Sequence, residues 1–154
     1  VGFAMKLRFV DVICDDSLRN VYIDGKKIGY QFDIRLGYYR GLFLSCIDCF
    51  ELEVDGERVP AQDITFSINQ KEFSVYELPY CRTEFWHILE PARITVIKPG
   101  GLAPGEHRIK LTLMLRVPYL PLPGGKGEHN YMPLDNCDEK VLLLKDIETL
   151  EGNE

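Results

Sequence analysis

The sequence predicts an all-β fold: a single antiparallel β-sandwich or jelly-roll-like domain. Three observations carry that expectation. Ile28, Tyr30, Phe32 and Ile34 interleave with Gly29, Gln31, Asp33 and Arg35, and Ile109, Leu111, Leu113, Leu115 and Val117 interleave with Lys110, Thr112, Met114 and Arg116. Such period-two alternation marks half-buried strands, because successive side chains leave opposite faces of the pleat. Short strand-like runs then recur about every ten residues, punctuated by Gly and Pro, the rhythm of sandwiches. A sustained 3.6-residue period is absent, apart from one short turn in the acidic tail 146–154.

Taken in order, residues 6–13 read as a first strand. Residues 21–28 form a hairpin around Asp24-Gly25, and its second arm runs on to Ile34. Residues 51–59 form a second hairpin around Asp55-Gly56. Asp-Gly is a strong two-residue turn signal, since both positions tolerate positive φ. Residues 64–68, 73–78 and 92–98 are further strands, 108–118 is the best defined, and 141–145 closes a sheet edge. A compact turn at 99–105 places Leu102 as a plug into the sandwich end. The Gly- and Pro-rich stretch 118–138 reads as a long loop, a length that is often functional in a compact domain.

With 154 residues and 45% hydrophobic content, the chain suits one domain with a sizeable core. Its boundaries are read as a leftover or flexible N-terminus at 1–4, a β-sandwich domain at 5–145 and an acidic tail at 146–154. The net charge of −6, with no run of more than two basic residues, argues against nucleic acid. No apolar run approaches the ~20 residues that span a bilayer, and no signal peptide is expected. Cys14, Cys46, Cys49, Cys81 and Cys137 are an odd set, which fits a reduced cytoplasmic protein better than a disulfide framework. Cys46 and Cys49 stand three apart, so on a strand they point to opposite faces and are read as free thiols.

Arg35, Tyr38, Tyr39 and Arg40 form a dense cluster where one strand hands over to the next. Tyr and Arg dominate binding hot spots, so these four are the candidate partner interface. The competing reading is strand-end packing. In the stretch 118–138, Tyr119, Lys126, Glu128, His129 and Tyr131 would be wasted on a purely solvated excursion. His87, His107 and His129 lack metal-ligand spacing. No nucleophile elbow, phosphate loop or zinc-protease motif is present. Trp86 is expected in the core. Glu84 and His87 fall on opposite faces of a strand and would not cooperate. The residues therefore name no catalytic group in this chain, and no metal or other cofactor is expected in it.

One ordered set of residues resembles the small β subunit of bacterial C-glycoside deglycosidases. It comprises Gly29-Tyr30-Gln31-Phe32-Asp33-Ile34-Arg35, Tyr38-Tyr39-Arg40-Gly41-Leu42, Ser45, Ile47, Val54-Asp55-Gly56-Glu57, Trp86, Gly100-Gly101-Leu102, Gly105 and His107. The likeness covers residues 21–119. It implies a hetero-oligomeric lyase complex with a larger TIM-barrel α subunit. That complex cleaves the carbon–carbon bond between a sugar's anomeric carbon and an aromatic ring, as in a flavonoid C-glycoside. The implied substrate is a 3-oxo-C-glucoside, whose ketone acidifies the C2 proton. A base removes that proton, a divalent metal in the α subunit, manganese by expectation, steadies the enolate, and the aglycone leaves protonated. The products are the free aglycone and a 1,5-anhydro-hex-1-en-3-ulose. Given such a partner, the residue types at Arg35, Tyr38, Tyr39 and Arg40 lead to the expectation that they lie at or beside the α-subunit interface, and Tyr119, Lys126, His129 and Tyr131 of the long loop are expected to reach toward the active-site mouth. Two alternatives stay open: a stand-alone carbohydrate-binding module with Trp86 and the tyrosines as sugar platforms, or an assembly subunit of another enzyme.

Overall fold

A computed structural model describes residues 4–6, 10–122 and 131–145. In order, the strands are β1 (Arg19–Ile23), β2 (Lys26–Ile34), β3 (Leu42–Phe43), β4 (Ile47–Val54), β5 (Glu57–Arg58), β6 (Ile64–Ile68), β7 (Lys71–Ser74), β8 (Phe85–Trp86), β9 (Ala92–Ile97), β10 (Gly105–Pro121), β11 (Tyr131–Asp135) and β12 (Asp138–Leu144). One sheet has the order β1-β2-β9-β6-β7. In the other, β4 and then β5 lie along one edge of β10, while β12 and β11 pair successively with its opposite edge. All these pairings are antiparallel. β3 and β8 form a small separate ladder.

Alternation explains the layering. Ile109, Leu111, Leu113, Leu115 and Val117 turn one face of β10 inward and are all buried. Each such side chain contributes about 1.5–3 kcal/mol by leaving water. Tyr30, Phe32 and Ile34 of β2 and Ile94 and Val96 of β9 do the same from the facing sheet. Phe50 of β4 meets Phe66 of β6 edge-on at 5.9 Å, and Phe66 meets Trp86 at 5.4 Å, so the two layers share one core. Trp86 is buried, its indole donating to the Glu90 carbonyl at 2.9 Å. Leu102 is buried as the turn's plug.

Three expected elements differ. The expected strand at 73–78 is β7 followed by a 3-10 turn over Val75–Tyr80. Ser74 and Glu77 cap that turn reciprocally, which starts helical hydrogen bonding where alternation alone suggested a strand. The expected strand at 6–13 is represented, among the described residues, by two isolated bridges, Met5 with Leu134 and Ile13 with Ile34. The long loop expected at 118–138 is largely hairpin. β10 continues to Pro121, which pairs with Tyr131, and the chain returns as β11 and β12. Prolines hid this, yet Pro133 sits on an edge strand, where a missing donor is tolerated. Residues 123–130 and the tail 146–154 lie outside the described residues. No helix of the described residues is long and apolar enough to cross a membrane.

Candidate functional site

The backbone beyond β2 is fixed before it delivers any functional side chain. The Arg35 amide donates to the Val12 carbonyl at 2.9 Å, and the Gly37 amide donates to Oδ1 of the buried Asn136 at 2.9 Å. Leu36 is buried between them. With the loop pinned, Tyr38 turns inward and is only 3% exposed, whereas Tyr39 turns outward and is 52% exposed. Their rings tilt against each other at 4.6 Å. The Tyr38 hydroxyl shares a 2.8 Å hydrogen bond with the hydroxyl of Tyr119, from the far end of β10. The Arg40 guanidinium lies over the Tyr119 ring, 4.4 Å from its centroid, a cation–π arrangement.

The three phenols are electrostatically unequal. Burial, then hydrogen bonds to Tyr119 and Tyr39, push the Tyr38 hydroxyl far above the ordinary tyrosine range. Tyr119 is also raised, first by burial. Tyr39 is lowered, chiefly by hydrogen bonding from Tyr119, then from Tyr38, with Arg40 adding to the effect. The Tyr38–Tyr119 hydroxyl bond can run in either direction, and the lowered pKa marks the exposed Tyr39 hydroxyl, beside a cation, as the most acidic of the three and the best outward donor.

An apolar margin continues this cluster. A side chain at Gly41 would collide with the Phe85 ring and the Trp86 carbonyl, so only glycine lets β3 approach β8 so closely. Phe43, which is 42% exposed, packs edge-on against Phe85 at 5.0 Å, and Phe85 against His87 at 4.7 Å. Lys71 and Asn69 hold Glu84 at 2.6 and 3.1 Å, and Asn69 also donates to the Phe85 carbonyl at 3.0 Å. Their bonds, Lys71 first, keep the Glu84 carboxyl below its usual range. Phe43 was legible in principle: buried Leu42 and Leu44 flank it, so alternation turns it outward.

The expected residues therefore sort into new groups. Tyr38, Tyr39 and Arg40 come together with Tyr119, which the sequence had assigned to a separate loop. Arg35 is not part of that contact; its Nε donates to the Asp11 carbonyl at 2.9 Å. Tyr131 is half-buried at the start of β11. Lys126, Glu128 and His129 lie outside the described residues. Burial of Trp86 removes it as a sugar platform. Cys46 is buried, Cys49 lies on β4, and none of the five cysteines forms a disulfide. No group of three or more His, Cys, Asp or Glu among the described residues is placed to hold a metal.

At the other end of the sandwich, the remaining motif residues are locked to one another. His107 contacts Asp55 Oδ2 at 2.6 Å through Nδ1 and the Ala103 carbonyl at 2.7 Å through Nε2. Both partners only accept, so the ring satisfies them by donating from both nitrogens, as imidazolium. Asp55 Oδ1 accepts from the Arg108 amide at 2.9 Å. Asn20 clamps Leu102 through its amide and its carbonyl, both at 2.9 Å.

Comparison with known proteins agrees with this reading of the motifs. A family model described as C-glycoside deglycosidase beta subunit matches residues 9–119. A C-glycoside deglycosidase beta subunit from Eubacterium cellulosolvens is 38% identical over 129 residues, covering 79% of this chain and 88% of that protein. A 3'-dehydrocarminate deglycosidase beta subunit from a Microbacterium species is 36% identical over 137 residues, covering 88% and 95%. A further C-glycoside deglycosidase beta subunit, from Microbacterium trichothecenolyticum, is 34% identical over 100 residues, covering 63% and 72%. The match spans both the Tyr38–Arg40 loop and the locked His107 end, and the chain belongs to the C-glycoside deglycosidase beta subunits.

Proposed function

We propose that this chain assembles with a TIM-barrel α subunit to cleave the carbon–carbon bond of a 3-oxo-C-glucoside by β-elimination. The larger subunit supplies the proton transfer and the divalent metal, manganese by expectation. This subunit supplies a docking surface and part of the active-site mouth, in the cytoplasm. The observation that carries the reading is the Tyr38–Tyr39–Arg40–Tyr119 cluster with its margin of Phe43 and Phe85. It combines exposed rings, a stacked guanidinium and an acidified phenol, the ingredients of a hot spot. The 3'-dehydro compound in one relative's name supports a substrate that is oxidised before it reaches the complex.

A carbon leaving group makes elimination the reasonable chemistry, since a C-glycoside has no acetal oxygen to protonate. The larger subunit's base would take the C2 proton while the aglycone carbon gains one. Tyr119 and Tyr131, at the β10–β11 turn, would border the open face of the barrel, where such sites lie. The same role is proposed for Lys126 and His129. Reconstitution tests the assignment. The chain alone should release no aglycone from a 3-oxo-C-glucoside, and addition of the α subunit should restore release. Turnover by the isolated chain, or α-subunit activity indifferent to this chain, would overturn it.

A further inference from the structure

The N-terminal stretch touches both sheets from outside their ladders: Met5 bridges to Leu134 of β11, and Ile13 to Ile34 of β2. Between Asp11 and Asp15 its backbone groups alternate in direction, as on a strand. Toward β2, the Val12 carbonyl accepts from the Arg35 amide at 2.9 Å, and the Cys14 amide donates to the Asp33 carbonyl at 2.9 Å. Toward β12 of the other sheet, two side chains stand in for a strand. The Ile13 amide donates to Asp138 Oδ2 at 2.9 Å, and the Ile13 carbonyl accepts from Lys140 Nζ at 3.0 Å.

Lys140 is committed to this segment more fully than that one bond shows. Its ammonium also donates to Asp11 Oδ2 at 3.0 Å and to Asp15 Oδ1 at 2.9 Å. An ammonium carries three protons, and here they meet three acceptors on alternate residues of one short stretch. The Lys140 side chain is 17% exposed. Burial pulls its pKa down, but the bonds to Asp15 and Asp11 outweigh this and hold it above the ordinary 10.5, so the group stays charged. Burial of Val12 and Ile13, both wholly buried, already ties the stretch to the core. That attraction is non-directional. The three Lys140 bonds are directional, and they fix how the backbone is turned.

The opposite edge of the same stretch bears on the docking loop. Arg35 is the residue from which that loop departs. Its amide is held by the Val12 carbonyl and its Nε by the Asp11 carbonyl, each at 2.9 Å. Asn136, just before β12, holds the Gly37 amide, so the root of the loop refers twice to one corner of the fold. We propose that Lys140 is a positioning residue for the docking loop. By fixing Asp11, Ile13 and Asp15 it sets the two carbonyls that hold Arg35, and through Arg35 the presentation of Tyr39 and Arg40. Its consequence for binding rests on the assembly reading.

The isolated full chain supplies the first readout. Tyr39 reports the loop's geometry, because its lowered pKa depends on Tyr119, Tyr38 and Arg40. Its titration is followed by phenolate absorbance, as the difference from the same chain carrying Tyr39→Phe. Lys140→Met keeps an apolar stem and removes all three donors. It should move the Tyr39 titration up toward the ordinary value of 10. Asp15→Asn alters an exposed carboxylate, should move it less in the same direction, and decides the matter if Lys140→Met does not fold. Asn20→Ala loosens the far end of the sandwich and should leave Tyr39 unmoved. In titration calorimetry Lys140→Met should weaken α-subunit binding about tenfold, the cost of ordering one or two freed side chains at an interface. The proposal is overturned if the folded variants keep the Tyr39 titration of the unaltered chain, if Asn20→Ala shifts it equally, or if Lys140→Met binds the α subunit as tightly as the unaltered chain does. Absence of binding by the unaltered chain would instead sink the assembly reading, with the Tyr39 titration still deciding for or against Lys140.

Discussion

The two ends of the sandwich use similar residue types for opposite purposes. At the His107 end, almost every polar atom of the motif residues is answered within the chain: imidazole by carboxylate and carbonyl, Asp55 by His107 and an amide, Asn20 by both groups of Leu102. At the Tyr39 end the internal bonds run out to an exposed ring. Tyr38 and Tyr119 share one hydroxyl bond, and Tyr39 and Arg40 present an acidic phenol and a cation at the surface. A recognisable motif is therefore no guide to which end acts. What distinguishes the ends is how much of this chemistry reaches the surface, and by that measure the cluster is the docking surface, while the His107 network is structural.

The comparison breaks first, and by the largest amount, under the cluster. Trp86→Ala removes a buried indole that packs against Phe66 and lies beneath Phe85 and Gly41. A loss of about 3–5 kcal/mol is expected in chemical denaturation, as for other buried aromatics. A loss below about 1 kcal/mol would mean that the small β3–β8 ladder stands without its core. The paired change Tyr39→Ala and Arg40→Ala should behave oppositely. Stability should move by about 0.5 kcal/mol or less, as for surface positions. Affinity for the α subunit should fall by about 1–3 kcal/mol in titration calorimetry. Unchanged affinity would return the cluster to strand-end packing.

This split also marks how far the sequence could be read. The fold was legible because alternation is written residue by residue: β2, β6, β9 and β10 lie where apolar positions recur every second residue. It failed where another signal competed. Ser74 and Glu77 capped a turn inside an apparent strand, and prolines disguised β11 as loop. The candidate site was half legible. Tyr38, Tyr39 and Arg40 stand together in sequence, but their meeting with Tyr119, 81 residues away from Tyr38, depends on the length of β10.

A smaller effect tests the locked end. Burial pulls the His107 imidazole down, but its bonds to Asp55 and Ala103 outweigh this, and its pKa is raised above the ordinary 6.5. A raised folded value stabilises fully below 6.5 and fades as pH climbs through it. Burial likewise pulls the Asp55 carboxyl up, but His107 and the Arg108 amide hold it below its ordinary 3.8. Its share is present above 3.8 and fades as pH falls through the lowered value. The pair therefore works best between those limits. His107→Gln should cost about 1–2 kcal/mol near pH 5.5 and less near pH 8.5, with α-subunit affinity unchanged. An equal cost at both pH values would show that the ring acts through shape alone.

The smallest change separates ring from hydroxyl within the cluster. Tyr119→Phe keeps the face over which Arg40 lies and deletes the oxygen that links Tyr38 to Tyr39. The Tyr38 hydroxyl, on a side chain only 3% exposed, then loses its 2.8 Å partner. The expected stability loss is about 0.5–1.5 kcal/mol, the net worth of one hydrogen bond. The more telling readout is Tyr39. Its lowered pKa depends first on Tyr119, so deleting that donor should carry the Tyr39 titration back up toward the ordinary value of 10, as followed by ultraviolet absorbance. If the α subunit accepts the Tyr39 proton, its affinity should fall with that shift although no contacting atom has been removed. An affinity drop without a change in the Tyr39 titration would locate recognition at the Tyr119 hydroxyl itself. A shift without an affinity drop would leave the exposed rings and Arg40 as the whole of the docking chemistry.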